Sequence, residues 1–123
     1  MIELAPLKDK NTIKQYFLKY ELEFDEFSGV VTAKNGQEII GFCIYSLDNE
    51  KMTVLYIEPI SDIPLADGIL RSTLHVAAER SIMNAFYAKT VPENFLEKID
   101  FIKSKNEKSL KIDKLFKSCC NCG

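Results

Sequence analysis

The predicted fold depends most on residues 53–82, which read TVLYIEPISDIPLADGILRSTLHVAAERSI. The run 53–58 is rich in β-branched and aromatic residues and stops at Pro59, whose missing N–H cannot continue a central ladder. Apolar residues then recur at the spacing of a helix that packs on a sheet, namely Ile69, Leu70, Thr73, Leu74, Ala77, Ala78 and Ile82. The stretch therefore predicts a strand, a tight loop and a long helix.

The predicted strand–loop–helix unit defines a candidate anion site. It aims the free N–H groups and the positive end of the helix dipole at the end of the strand. A pyrophosphate group could bind at that point. The alternative is an ordinary strand–helix connection that binds no ligand, because helix starts are common and most bind nothing.

Length and composition indicate one cytoplasmic domain. A chain of 123 residues buries between about 60% and about 70% of its unfolded surface in one core. A net charge of −2 gives no basic field, so we expect no nucleic-acid partner. Residues 1–10 lack the basic and apolar regions of a signal peptide, and no apolar run approaches the ~20 residues of a membrane span. We therefore expect no membrane partner, while the oligomeric state is left open.

The segment before the quoted stretch predicts a helix and a β-meander. After a short strand at 2–4, the apolar face of the helix comprises Ile13, Phe17, Tyr20, Phe24 and Phe27. Runs 29–33 and 38–47 flank an Asn-Gly turn and should pair antiparallel. In the second run both the odd and the even positions are apolar, so both faces of its strand should be covered. Cys43 in this run should be a small buried hydrophobe.

The segment after the quoted stretch predicts a strand at 83–91, a short helix at 94–99 and a last strand at 109–116. Together the elements describe an α+β domain with a mixed, mostly antiparallel sheet and helices on both of its faces. We assign residues 1–117 to this single domain and residues 118–123 to a cysteine-containing tail.

This order of elements resembles the GNAT family of acyl-CoA N-acyltransferases over nearly the whole chain. The family's signature, Gln/Arg-x-x-Gly-x-Gly/Ala between a strand and the next helix, corresponds to residues 61–66, where only Ala66 fits the pattern. Ile57, Glu58 and Pro59 resemble the strand end whose backbone contacts the pantetheine arm. The resemblance implies a GNAT-like fold with acetyl-CoA or another acyl-CoA as cosubstrate.

The resemblance also implies a set of residues that bind the cosubstrate. They are Tyr56, Ile57, Glu58, Asp62, Ile63, Pro64, Leu65, Ala66, Gly68 and Asn94. The sequence departs from the family near the late Gly-Phe motif, where Phe101 matches but Asp100 replaces the Gly and Leu96 occupies the place of a general-acid Tyr. Between Lys51 and Arg71 the sequence contains no Lys or Arg, so negative charge dominates the proposed anion site.

Glu58 is the candidate general base. Freeing the lone pair of an amine with a pKa near 10.4 costs about 4 to 5 kcal/mol at pH 7, whereas releasing a thiolate with a pKa near 8.5 costs about 2 kcal/mol. A base is therefore needed more than an acid, and Tyr56 and Tyr87 are weaker candidates for the acid. Backbone N–H groups around 57–60 would polarise the thioester carbonyl. The alternative for Glu58 is an exposed carboxylate without a catalytic role.

Cys119, Cys120 and Cys122 are candidate metal ligands. Cysteines without a secretion signal are more often reduced thiols or metal ligands than disulfides. A closed zinc site needs four ligands, so Cys43 or a second chain would have to complete it. The alternatives are a redox-sensitive thiol cluster and a disordered end. His75, the only histidine, is expected to be structural or exposed.

The sequence thus predicts two functions of different kinds. The leading one is an N-acetyltransferase that moves an acyl group from acetyl-CoA to the primary amine of an unidentified acceptor. The alternative is a catalytically silent GNAT-like module that binds a ligand or a partner and carries a metal or redox tail. Binding of CoA distinguishes the two.

Overall fold

The computed structural model describes residues 2–25, 27–99 and 109–110. Six strands and three helices occur in these ranges. In chain order they are β1 (Ile2–Pro6), α1 (Lys10–Lys19), β2 (Gly29–Asn35), β3 (Glu38–Leu47), β4 (Lys51–Glu58), α2 (Ile63–Glu79), β5 (Asn84–Tyr87), α3 (Glu93–Lys98) and β6 (Ser109–Leu110).

The strands form one sheet in which they lie side by side in sequence order. All neighbours pair antiparallel except β4 and β5, which pair parallel. A parallel pair needs a long crossover, and α2 supplies it. The predicted α+β class with a mixed, mostly antiparallel sheet is confirmed.

Both faces of β3 are covered, as its apolar pattern predicted. Cys43 and Tyr45 are buried in the larger core with α2 and α3. Phe42 and Ile44 are buried in a second core with α1. Side chains of a strand alternate between the faces, so α1 and α2 lie on opposite sides of the sheet. Cys43 is 0% exposed, and this burial raises the pKa of its thiol to about 12, which makes it an inert part of the core.

Helix α2 buries five of the seven residues of the predicted stripe, whereas Ala78 is half-buried and Ile82 lies beyond the end of the helix. Asp62 caps its first turn, because the Asp62 carboxylate accepts a hydrogen bond from the N–H of Leu65 at 3.3 Å. At the other end the chain turns at Ser81, where φ is 62°, and the Ile82 N–H donates to the Ala77 carbonyl. The buried residues of the helix are Ala66, Ile69, Leu70, Thr73, Leu74 and Ala77.

Helix α1 is shorter than its apolar spacing predicted. It ends at Lys19, Glu21 adopts a φ of 55°, and the Leu22 N–H donates to the Phe17 carbonyl at 2.8 Å. These contacts form a Schellman cap, which closes the helix without a glycine. Phe24 lies beyond the helix but still packs edge-on against Phe17, whereas Phe27 is 48% exposed.

The C-terminal elements differ in extent from the prediction. Strand β5 ends at Tyr87 rather than at residue 91, because the chain turns there and the Val91 N–H bonds back to the Ala88 carbonyl. Helix α3 confirms the short helix, and its Phe95 and Leu96 join the core of α2. Only Ser109–Leu110 of the predicted last strand is described, and it pairs with β5. None of the helices in the described ranges has the length and hydropathy to cross a membrane.

Candidate functional site

A β-bulge at Leu55 determines which side chains of β4 face which helix. Neighbouring residues of β3 pair with Val54 and Tyr56, which leaves Leu55 as an extra residue. Val54 packs in the core of α2, whereas Leu55 and Tyr56 both pack in the core of α1. Glu58 lies two positions after Tyr56 and therefore faces α1 as well. Without the bulge, regular alternation would turn Tyr56 and Glu58 toward α2.

An aromatic cavity lies between α1 and the ends of β3 and β4. Its volume is about 410 Å³, and Tyr16, Tyr20 and Phe42 line it together with Glu58. The Phe42 ring lies 4.9 Å from the Tyr16 ring and 5.6 Å from the Tyr20 ring. Tyr56 supports this wall, since its ring stacks on Tyr20 at 4.4 Å. The volume is within the range of small-molecule sites, which is about 300 to 1,000 Å³.

Glu58 is the acidic group of this cavity. Its Oε1 accepts a hydrogen bond from the Tyr56 hydroxyl at 2.8 Å and a longer one from the Tyr20 hydroxyl at 3.4 Å. Within the part of the chain that the structure describes, Oε2 accepts none. The two phenols therefore orient a partly buried carboxylate and leave one of its oxygens available to a ligand.

The tyrosines around Glu58 hold their protons tightly. The hydrogen bond to Glu58, with a smaller effect of burial, raises the pKa of Tyr56 from 10.0 to about 12. Burial, followed by the charge of Glu58, raises the pKa of Tyr16 and of Tyr20. A phenol with a pKa near 12 transfers its proton uphill to a thiolate whose conjugate acid has a pKa near 8.5. Tyr56 is therefore suited to orienting Glu58 rather than to acting as a general acid.

One edge of β4 is open next to the bulge. Pairing with β5 stops where Val54 meets Tyr87, and the Ala88 N–H still donates to the Val54 carbonyl at 2.8 Å. The Thr90 hydroxyl then caps the Leu55 carbonyl. No strand of the described ranges pairs with residues 56–58 on the β5 side, although β3 pairs with them on the other. Backbone groups of a strand left open in this way can bind an extended ligand.

The N-terminus of α2 offers few hydrogen-bond donors. The Leu65 N–H is used by Asp62, and Pro64 has no N–H. Ile63 retains the only first-turn N–H without a hydrogen-bond partner among the described residues. Asp62 and Pro64 are exposed, Ile63 and Leu65 pack partly against the core, and Ala66 is fully buried. The predicted anion site is therefore occupied in part by the protein's own carboxylate.

Other predicted site residues lie apart from the aromatic cavity. Tyr87 belongs to the core of α2, on the opposite face of the sheet from Glu58, and its hydroxyl donates to Glu93 at 3.1 Å. Asn94 is exposed on α3, and Gly68 lies in the second turn of α2. Ile57 is 5% exposed and faces α2, so its backbone alone is available to a cosubstrate.

Sequence reasoning missed Tyr16, Phe42 and Lys19 as cavity residues. The available signal was the pair Tyr16 and Tyr20, which stand four positions apart and so share a face of α1. The sequence did not assign Phe42 to the face of the sheet toward α1, because the odd and the even positions of its strand are both apolar.

The metal prediction concerns residues that the structure does not describe. Cys119, Cys120 and Cys122 lie outside the described residues, as do Asp100 and Phe101. Within residues 2–25, 27–99 and 109–110, no group of three or more His, Cys, Asp or Glu side chains is placed to hold a metal ion. His75 is on the surface, with its Nε2 atom 3.9 Å from the Glu79 carboxylate.

Comparisons with known proteins leave the family open. The sequence matches no model of a known protein family, and it matches no curated protein significantly.

Proposed function

We propose that this protein is a GNAT-like N-acyltransferase that transfers an acyl group from an acyl-CoA to a primary amine. One observation carries the proposal: the open edge of β4 lies beside a bulge that turns Glu58 into a cavity. The order of elements and the α2 crossover between parallel β4 and β5 also support it. An acyl donor on the edge and an amine in the cavity would meet at the end of one strand.

The open edge of β4 suits the pantetheine arm of CoA. That arm is extended and carries two amide groups, so it can hydrogen-bond to strand backbone as an added strand does. Residues 56–58 lack a strand partner on the β5 side within the described ranges. Backbone N–H groups there would also polarise the thioester carbonyl, as oxyanion-hole donors do.

Glu58 is assigned as the general base. The amine must lose a proton to attack, and Oε2 of Glu58 accepts no hydrogen bond from the described residues. The nitrogen forms a bond to the acyl carbon and the carbon–sulfur bond breaks. The amine protons pass to Glu58 and solvent, and the thiolate takes a proton from water. A thiol pKa near 8.5 makes this departure cost about 2 kcal/mol at pH 7, so a dedicated acid is dispensable.

A second candidate function is favoured by the N-terminus of α2. Pro64 supplies no N–H, and Asp62 brings a negative charge to the place where a pyrophosphate would bind. Leu96, at the place of the family's acid, is 0% exposed in the core. These features fit a catalytically silent GNAT-like module that binds a ligand or a partner through the aromatic cavity.

Binding of CoA and of its two halves distinguishes the candidates. Because α2 offers few donors, we expect pantetheine to retain measurable binding and adenosine 3′,5′-bisphosphate to lose it. CoA at 100 times its Kd should stabilise the fold by about 2.7 kcal/mol, which a melting experiment detects. No melting shift at millimolar CoA would favour the silent module.

Turnover is the direct test of acyl transfer. Acetyl-CoA with a panel of primary amines should release free CoA thiol in equal amount to the acylated amine. Thiol release without amide formation would indicate hydrolysis instead. CoA binding with no amide formed from any amine of the panel would also favour the silent module.

A further inference from the structure

We propose that the aromatic cavity is a binding site for a primary alkylamine with a single positive charge, held as its ammonium ion. Recognition of the cation is a property of the cavity itself. Its use as the acyl acceptor rests on the proposed acyltransferase function.

The walls of the cavity are those of a cation site. Aromatic faces attract a cation whose nitrogen lies within about 6 Å of the ring centroid. Tyr16, Tyr20 and Phe42 bring three such rings to one cavity, and one face of the Tyr20 ring is covered by Tyr56. An ammonium group of the protein already uses one of them, since the Lys19 Nζ atom lies 5.5 Å from the centroid of Tyr20. Ile39 and Ile40 provide apolar contacts for a hydrocarbon chain.

Glu58 supplies the counter-ion of the site. Among the described residues, both hydrogen bonds to the Glu58 carboxylate come from neutral phenols and reach the same oxygen. No Lys, Arg or His of the described residues forms an ion pair with Glu58. The partly buried charge therefore lacks a positive partner in the described chain, and an alkylammonium ion would provide one.

Lys19 restricts the ligand to one positive charge. It is exposed and lines the same cavity as Glu58, so its own charge lies on the solvent side. A diamine that places one ammonium at Glu58 would bring its second ammonium toward Lys19 and be repelled. An ω-amino acid would place its carboxylate there and be attracted. The two lining charges thus favour a monoamine or an ω-amino acid over a diamine.

The test is calorimetric titration of the apo protein with three ligands of similar length: butylammonium, 4-aminobutyrate and 1,4-diaminobutane. Butan-1-ol is the neutral control. We expect 4-aminobutyrate to bind at least as tightly as butylammonium, and both to bind more tightly than the diamine and the alcohol. CoA is absent, so failure of this test leaves the CoA measurements unaffected.

Variants separate charge, ring and selectivity. Glu58→Gln should weaken butylammonium binding at least tenfold. Tyr20→Phe keeps the ring but loses the long hydrogen bond to Glu58, so it should bind butylammonium more tightly than Tyr20→Leu, which loses both. Lys19→Gln should remove the preference for 4-aminobutyrate over 1,4-diaminobutane. A melting curve of each variant confirms that it is folded.

Several results would overturn the proposal. Butylammonium binding no tighter than butan-1-ol would exclude a cation site. Unchanged affinity in folded Glu58→Gln would exclude the counter-ion. If 1,4-diaminobutane binds the wild-type protein as tightly as 4-aminobutyrate does, selection by Lys19 is excluded. This comparison needs no variant, so it holds even if Tyr20→Leu fails to fold.

Discussion

The Tyr56 hydroxyl donates a hydrogen bond to Glu58 Oε1 at 2.8 Å, between two residues of the same strand. The bond is possible because positions two apart on a strand share a face. That face is the one toward α1 only because of the bulge at Leu55. A single extra residue thereby assembles the acidic group, its supporting phenol and the aromatic cavity.

The first prediction concerns the alkaline titration of Tyr56. The hydrogen bond to Glu58 raises its pKa from 10.0 to about 12, so Glu58→Gln should return this pKa toward 10. A raised pKa stabilises the fold below pH 10, and this stabilisation is lost as the pH rises from about 10 to about 12. Wild-type stability should fall more steeply over that interval than the stability of Tyr56→Phe.

Phenolate absorbance during a pH titration measures the first part of this prediction. The difference between wild type and Tyr56→Phe follows Tyr56 together with its effect on the neighbouring Tyr20, and contributions from distant groups such as Cys43 cancel. Identical titration curves for wild type and Glu58→Gln would show that Glu58 does not hold the Tyr56 proton.

The second prediction concerns catalysis by Glu58. Once an accepting amine is known, Glu58→Gln should lower kcat about 100-fold or more, because the amine loses its proton acceptor. CoA affinity should stay nearly unchanged. Glu38→Gln, an exposed carboxylate at the start of β3, is the matched control. Wild-type turnover in Glu58→Gln would leave solvent as the acceptor of the proton.

The third prediction concerns the charge at the start of α2. Asp62→Asn keeps a side-chain cap but removes a negative charge from the proposed pyrophosphate site. Two unit charges 4 Å apart repel by about 1 kcal/mol in water, so CoA affinity should rise about fivefold. Glu79→Gln, at the other end of the same helix, should have no effect. Unchanged affinity in Asp62→Asn would place the pyrophosphate elsewhere.

The fourth prediction contrasts two glycines. A Cβ on Gly41 would lie 2.7 Å from Ile69 Cδ1 and 3.0 Å from the Glu58 carbonyl oxygen, so Gly41→Ala should displace the end of β4 and lower stability by about 1 to 3 kcal/mol. A Cβ on Gly68 would meet Leu4 at 3.4 Å, an ordinary contact. Gly68→Ala should therefore raise stability by about 0.5 to 1 kcal/mol, because glycine disfavours a helix interior.

Denaturant unfolding of the two variants gives these free energies directly. Gly41→Ala should also weaken butylammonium binding, since Gly41 lines the aromatic cavity beside Glu58. Equal stability of the two variants would contradict the close approach of β3 to the end of β4.

The long helix and the meander could be predicted from the sequence, whereas the bulge and the cavity could not. The α2 stripe is a strong periodic signal that ends in a cap. The sequence does not mark the bulge, because residues 54–57 are all apolar or aromatic and show no break in an alternation of apolar and polar positions. The end of α1 was equally hidden, because Glu21 takes a positive φ that usually selects glycine.

The proposed acyl transfer requires the pantetheine arm of CoA to bind at the open edge of β4, beside Glu58. The most direct measurement is titration of isotope-labelled protein with CoA, followed by the backbone amide resonances in NMR spectra. We expect the largest shifts at residues 55–58, smaller shifts at the start of α2, and little change at the far end of α2 near Glu79. No shifts at millimolar CoA, or shifts confined to residues away from β4, would exclude binding of the pantetheine arm at this edge.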